Sequence, residues 1–171
     1  MHQTSSNIRY LAIAALFAAL VTLSIVVFRI PVGPGILHFG DAVIYLAACL
    51  LPKPFALAAA SIGGGMANIV TGTAIWAPAT IVIKPLIAAW FTSEGKCVCA
   101  RNVAALFIAG IVTIVGYYVY DALVVTGNWV APLARVWGNV VQSTGSAVIF
   151  LLIAGAFDRM NIKASLGLGT K

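Results

Sequence analysis

Between Arg9 and Arg29 the chain carries no charged residue, and its apolar run from Leu11 to Val27 is broken only by Thr22 and Ser24. A stretch of this kind suits a helix that crosses a lipid bilayer, which needs roughly 17–25 predominantly apolar residues. Similar stretches recur along the chain between clusters of proline, glycine and charge. Of 171 residues, 62% are apolar and 8% charged, against about 25% charged in an ordinary soluble domain. Ten basic and four acidic side chains cannot cover a core of this size against water, so the solvent of the fold is lipid. One domain spanning residues 1–171 is expected.

The formal net charge of +6 does not point to nucleic acid, because the basic residues stand singly between apolar runs rather than on one stripe. Cys49, Cys97 and Cys99 are odd in number, and Cys97-x-Cys99 lacks metal-ligand spacing. No disulfide framework, metal or cofactor is expected. The first apolar run exceeds the roughly 7–15 residues of a signal-peptide core and no small-x-small cleavage site follows before Arg29, so it reads as a mature helix.

Breakers and charges cut the chain into six helical segments, at about residues 8–28, 40–51, 55–70, 77–91, 102–123 and 131–157. Arg29, Pro31, Gly33, Pro34 and Gly35 end the first as a loop. The second is short between Asp41 and Lys53, so it is either packed inside protein or begins earlier, near Ile36. An all-α membrane bundle follows, because a spanning chain must satisfy its backbone internally and no alternating ten-residue strands occur. With both termini in the cytoplasm, Arg9, Lys53, Lys96, Arg101, Arg159, Lys163 and Lys171 lie inside and only Arg29 outside, the asymmetry expected of a multi-pass protein in a cell membrane.

Lys84 and Arg135 fall inside helices, where a charge is kept only if it faces protein or a water-filled cavity. Each belongs to a polar stripe at helical spacing: Trp76, Thr80 and Lys84 on the fourth helix, Thr113, Tyr117 and Asp121 on the fifth, and Arg135, Asn139, Gln142 and Ser146 on the sixth. In the topology above these stripes share the outer side of the membrane. They predict an outward-opening cavity for a small, polar, planar solute. Plainer readings stand beside this one: Arg135 and Asp121 could pair or snorkel, and Asn139 and Gln142 could be interhelical glue. Trp129, Trp137, Tyr117, Tyr118 and Tyr120 read more readily as interfacial aromatics than as ligand platforms. His38, in the run His38-Phe39-Gly40-Asp41, is a further candidate from the first loop, with Asp41 placed as a helix-start acid or cap.

Ala14-x-x-x-Ala18 and Ala15-x-x-x-Ala19 form a strip of small residues that lets a helix approach closely, from outside or within the bundle. Ser61, Gly63, Gly64 and Gly65 form a second such site. No G-x-S-x-G, H-E-x-x-H or phosphate-binding loop is present, so no enzyme is expected. Any uphill transport would draw its energy from another subunit. The alternative is a stand-alone secondary transporter or channel in which Lys84 and Asp121 relay protons.

The alanine strip, Gly35 to Asp41 read as G-x-x-x-F-G-D, the run Gly64 to Gly72, Trp76-Ala77-Pro78-Ala79-Thr80 and Ile83-Lys84 together resemble the substrate-binding S component of an energy-coupling factor (ECF) vitamin transporter. The subgroup resembled is the hydroxymethylpyrimidine and pyridoxine type, most densely from Gly35 to about Ala89. The resemblance implies a bacterial plasma-membrane binder of a small vitamin or precursor. It would dock through Ala14, Ala15, Ala18 and Ala19 on a transmembrane coupling protein with two ATPase subunits. It also implies ligand contacts from the outer loops and the fourth to sixth helices. Asn68 joins the substrate-binding candidates as a departure, because relatives often carry an acid there.

Overall fold

The computed structural model describes residues 2–32 and 35–168. Six main helices carry the fold: α1 (His2–Val27), α2 (Gly40–Leu50), α3 (Lys53–Val70), α4 (Ala77–Ala88), α5 (Ala100–Tyr120) and α6 (Leu133–Arg159). A hairpin of β1 (Ile30–Val32) and β2 (Gly35–Leu37) joins α1 to α2, and the one-turn helix α7 (Ile162–Ser165) follows α6. Among the described residues, three helices are long and apolar enough to cross a membrane, within Asn7–Val27, Ala100–Val125 and Leu133–Arg159.

The hairpin corrects the reading of residues 29–35 as a plain loop. Ile30 pairs with Leu37, Pro31 with Ile36 and Val32 with Gly35. Proline is admissible there because every strand of a two-stranded ribbon is an edge strand. Gly33 and Pro34 lie outside the described residues, as does Lys171 of the charge count. Because residues 35–37 are strand, α2 cannot begin near Ile36.

Helix α2 packs against α1, α3, α4 and α6, and ten of its eleven residues are buried. Its sequence explains this position: apart from Asp41 and the tyrosine hydroxyl, it offers almost nothing for water to solvate. Eleven residues rise only about 16 Å, roughly half of a 30 Å hydrocarbon core. The other helices therefore surround a centre that α2 fills at one end only.

At that filled end, Tyr45 stacks on Phe91 with ring centres 4.9 Å apart, and Phe150 meets both rings edge-on. Beside them Asn102 donates to the Cys97 carbonyl at 3.0 Å and to Cys49 Sγ at 3.2 Å. The Asp158 carboxylate accepts the backbone N–H groups of Cys97 and Val98, both at 2.8 Å, which fastens the α4–α5 connection to α6.

The glycine run of α3 lets two neighbours close in. A Cβ on Gly63 would lie 2.7 Å from the Ala18 carbonyl oxygen of α1, and one on Gly64 would lie 2.8 Å from Thr80 Cγ2 and 3.0 Å from Lys84 Cγ of α4. Gly64 thus sets how deeply the polar stripe of α4 sits.

Candidate functional site

Over the open end of α2 lies a cavity of about 210 Å³ walled by α4, α5 and α6, with the hairpin and the end of α3 completing it. The three stripes run through it in register. Helix α4 leads away from the mouth, α5 toward it and α6 away again, so spacings of three and four residues stack the side chains in layers roughly 5–6 Å apart. Trp76, Asp121 and Arg135 form the mouth, Thr80, Tyr117 and Asn139 the middle, and Lys84, Thr113 and Gln142 the floor. From mouth to floor is about 12 Å along the helix axes.

At the floor, Lys84 Nζ donates to Asp41 Oδ1 at 2.5 Å, with both side chains buried. Asp41 is the second residue of α2, and no side chain caps that helix. Its expected role as a helix-start cap is therefore replaced by an ion pair to a cation 43 residues away. A lone Lys84 would be a costly buried charge, and the pair makes it tolerable. Gln142 completes the floor: its Oε1 accepts the His38 N–H at 2.8 Å, and its amide nitrogen donates to the His38 carbonyl at 2.8 Å and Ser146 Oγ at 3.1 Å. Gln142 is thereby both a wall of the cavity and the tie between α6 and the segment after β2. Burial is the largest influence on the His38 imidazole and pushes it down to about 4, partly countered by Asp41. His38 is accordingly neutral near pH 7.

In the middle layer Thr80 Oγ1 lies 2.6 Å from the Asn68 amide and 3.0 Å from the Tyr117 hydroxyl. Lys84 Nζ stands 5.4 Å from the centre of the Tyr117 ring, and Trp76 tilts against the same ring at 6.1 Å. At the mouth Arg135 Nη1 donates to Asp121 Oδ2 at 2.5 Å while its guanidinium lies 5.8 Å over Trp76. The anticipated Arg135–Asp121 pair exists and lines the cavity as well. Asp121 opens a π-helical turn, Asp121–Val125, at the end of α5, an irregularity frequent at functional sites.

His38, Asn68, Trp76, Thr80, Lys84, Tyr117, Asp121, Arg135, Asn139 and Gln142 all line this one cavity. Arg29, Thr71, Thr73, Thr113 and Tyr118, the last read as an interfacial aromatic, line it as well without having been named as site candidates, and Asp41 holds Lys84 at the floor. Thr113 stood on the α5 stripe, whereas nothing local marks Asp41 as the partner of Lys84. Two buried polar atoms of lining residues, Thr113 Oγ1 and Asp121 Oδ1, have no hydrogen-bond partner. The alanine strip divides: Ala14 is buried, Ala18 is half-buried beside Gly63 of α3, and Ala15 and Ala19 are exposed. Among the described residues no cluster of three or more potential metal ligands occurs.

Residues 5–159 match the family described as ECF-type riboflavin transporter, S component. A protein of Pyrococcus woesei, described as an uncharacterized protein in the gap 3′ region, is 33% identical over 135 residues, covering 77% of this chain and 88% of the relative. The chain belongs to the S components of ECF transporters, the membrane-embedded substrate-binding subunits of these importers, which are not enzymes. The match is to the riboflavin type rather than to the hydroxymethylpyrimidine and pyridoxine type that the motifs resemble.

Proposed function

We propose that the protein captures a water-soluble vitamin or precursor with a flat heteroaromatic ring from the outer side of the membrane and hands it to an energising module. The observation that carries this reading is the layered slot itself. Three helices turn charged, amide and aromatic side chains into one hollow in an otherwise apolar chain, and two buried polar atoms there have no protein partner. Polar groups at membrane depth are costly unless they serve a cavity or one another. Six helices alternating in direction, with both termini in the cytoplasm, would put the mouth outside, in keeping with the lysine and arginine asymmetry.

Two substrate classes fit. The family description favours riboflavin, and the motifs between Gly35 and Ala89 favour a hydroxymethylpyrimidine or pyridoxine-like ring. The slot would take a ring against the faces of Trp76 and Tyr117, with hydrogen bonds from Asn139 and the mouth pair. The exposed Ala15 and Ala19 face of α1 would meet the coupling protein, whose two ATPases supply the energy. Purified protein is expected to quench its tryptophan fluorescence with one of these three compounds, and mass spectrometry of the co-purified small molecule should name the same one. Silence across the three, with nothing co-purified, would overturn the reading.

A further inference from the structure

Resting on that capture reading, the geometry points to Thr113 and Asp121 as the two specificity-determining residues. We infer that they read polar groups at opposite ends of one flat, elongated guest. Thr113 on α5 and Asp121 at the start of the π-helical turn that continues it are eight residues apart, so they lie on one side about 12 Å apart along the axis. Thr113 is 1% exposed and Asp121 2%, yet Thr113 Oγ1 and Asp121 Oδ1 have no partner. A buried acceptor without a donor is unfavourable, which a ligand group at that place relieves.

The neighbours of these atoms sharpen the chemistry. Asp121 Oδ2 is already taken by Arg135, which leaves Oδ1 as a carboxylate oxygen able only to accept. The end of the guest at the mouth is therefore an N–H or O–H donor, and a group that only accepts is refused there. Thr113 Oγ1 can donate or accept, so the floor end carries a hydroxyl, carbonyl or ring nitrogen. Between them stands Tyr117, its ring lined by Trp76 and Lys84, a surface for an unsaturated ring body rather than an aliphatic chain. The lining is not suited to a cationic body, since Lys84, Arg135 and Arg29 face the same slot and Asp41 and Asp121 each already hold one cation. A single substituted ring reaches one of the two orphan atoms, whereas a fused ring bearing a polar tail reaches both.

The test compares riboflavin, which has an N–H edge and a polyol tail on a fused ring, with pyridoxine, a single ring, on purified wild-type, Thr113→Val and Asp121→Asn proteins. Loss of a neutral hydrogen bond is expected to weaken riboflavin about fivefold in Thr113→Val, and loss of a charged acceptor about thirtyfold in Asp121→Asn. The two losses should nearly multiply in the double variant, because the sites are far apart. Pyridoxine is expected to bind wild type more weakly than riboflavin and to respond to one substitution only. An unliganded melting temperature for Thr113→Val no lower than wild type separates a lost contact from a damaged fold. Riboflavin affinity unmoved by either substitution, or pyridoxine held tighter than riboflavin, overturns the two-ended guest while leaving capture intact. Failure of riboflavin, pyridoxine and hydroxymethylpyrimidine alike to bind wild type overturns the capture reading and this inference with it.

Discussion

The two ends of the bundle solve the same packing problem in opposite ways. At one end α2, Tyr45, Phe91 and Phe150 fill the centre with interlocked rings that are at most 1% exposed. At the other end α2 is missing, and the same α4, α5 and α6 face a slot lined by charges and hydroxyls. One helix shortened to eleven residues makes the difference. Stability is concentrated where the centre is full, and the other end holds groups whose partners are incomplete without a guest. This is the trade expected of a binding protein, where a preorganised site carries unsatisfied polar atoms that the rest of the fold must offset.

Two substitutions, one at each end, break the comparison most sharply. Phe150→Ala opens a cavity in the ring cluster and is expected to cost about 3–5 kcal/mol, read as a lower melting temperature with little change in ligand affinity for the fraction that remains folded. Lys84→Met strands the Asp41 carboxylate and is expected to cost about 3–5 kcal/mol as well, but with loss of binding. Adding Asp41→Asn should restore most of the stability of Lys84→Met and none of the affinity. If the double variant binds normally, Lys84 holds the fold and takes no part in the site. Asn139→Leu, on the slot but outside the ion pairs, should weaken binding with a smaller effect on melting. A middle-sized effect belongs to Gly64→Ala, whose Cβ would press on Thr80 Cγ2 at 2.8 Å and Lys84 Cγ at 3.0 Å. Overpacking of this kind costs about 1–3 kcal/mol and should push the α4 stripe into the slot, so that affinity falls with stability.

What could be read from the chain alone follows from which forces are local. The three stripes are legible because a helix repeats its face every three to four residues, and a polar residue in an apolar run is expensive enough to need a reason. Trp76, Thr80 and Lys84 therefore announce a face from their spacing alone. Asp41 does not, since an acid one residue into a helix has a local explanation that is complete in itself; only the fold brings Lys84 to 2.5 Å from it. The alanines of α1 show the same limit. Ala14 and Ala15 are adjacent residues of the same type, yet one is buried and the other exposed, because which face of α1 meets α3 is settled by the fold and not by the alanines. The hairpin was hidden by Pro31, which reads as a breaker until its strand is seen to have a free edge.

The mildest handle on the difference between the ends is pH. His38 sits where the hairpin enters α2, hydrogen-bonded through its backbone to Gln142, and burial holds its imidazole near 4 against an ordinary value of 6.5. The unfolded chain takes up a proton below about 6.5 that the folded chain refuses until about 4. Stability from this group is thus fully present above 6.5 and declines as the pH falls between those values. The melting temperature should drop modestly from pH 7 to pH 5, and His38→Gln should flatten that slope while the Tyr45, Phe91 and Phe150 end gives no such dependence. A slope that persists unchanged in His38→Gln would assign the titration to another group and leave His38 a bystander of the floor.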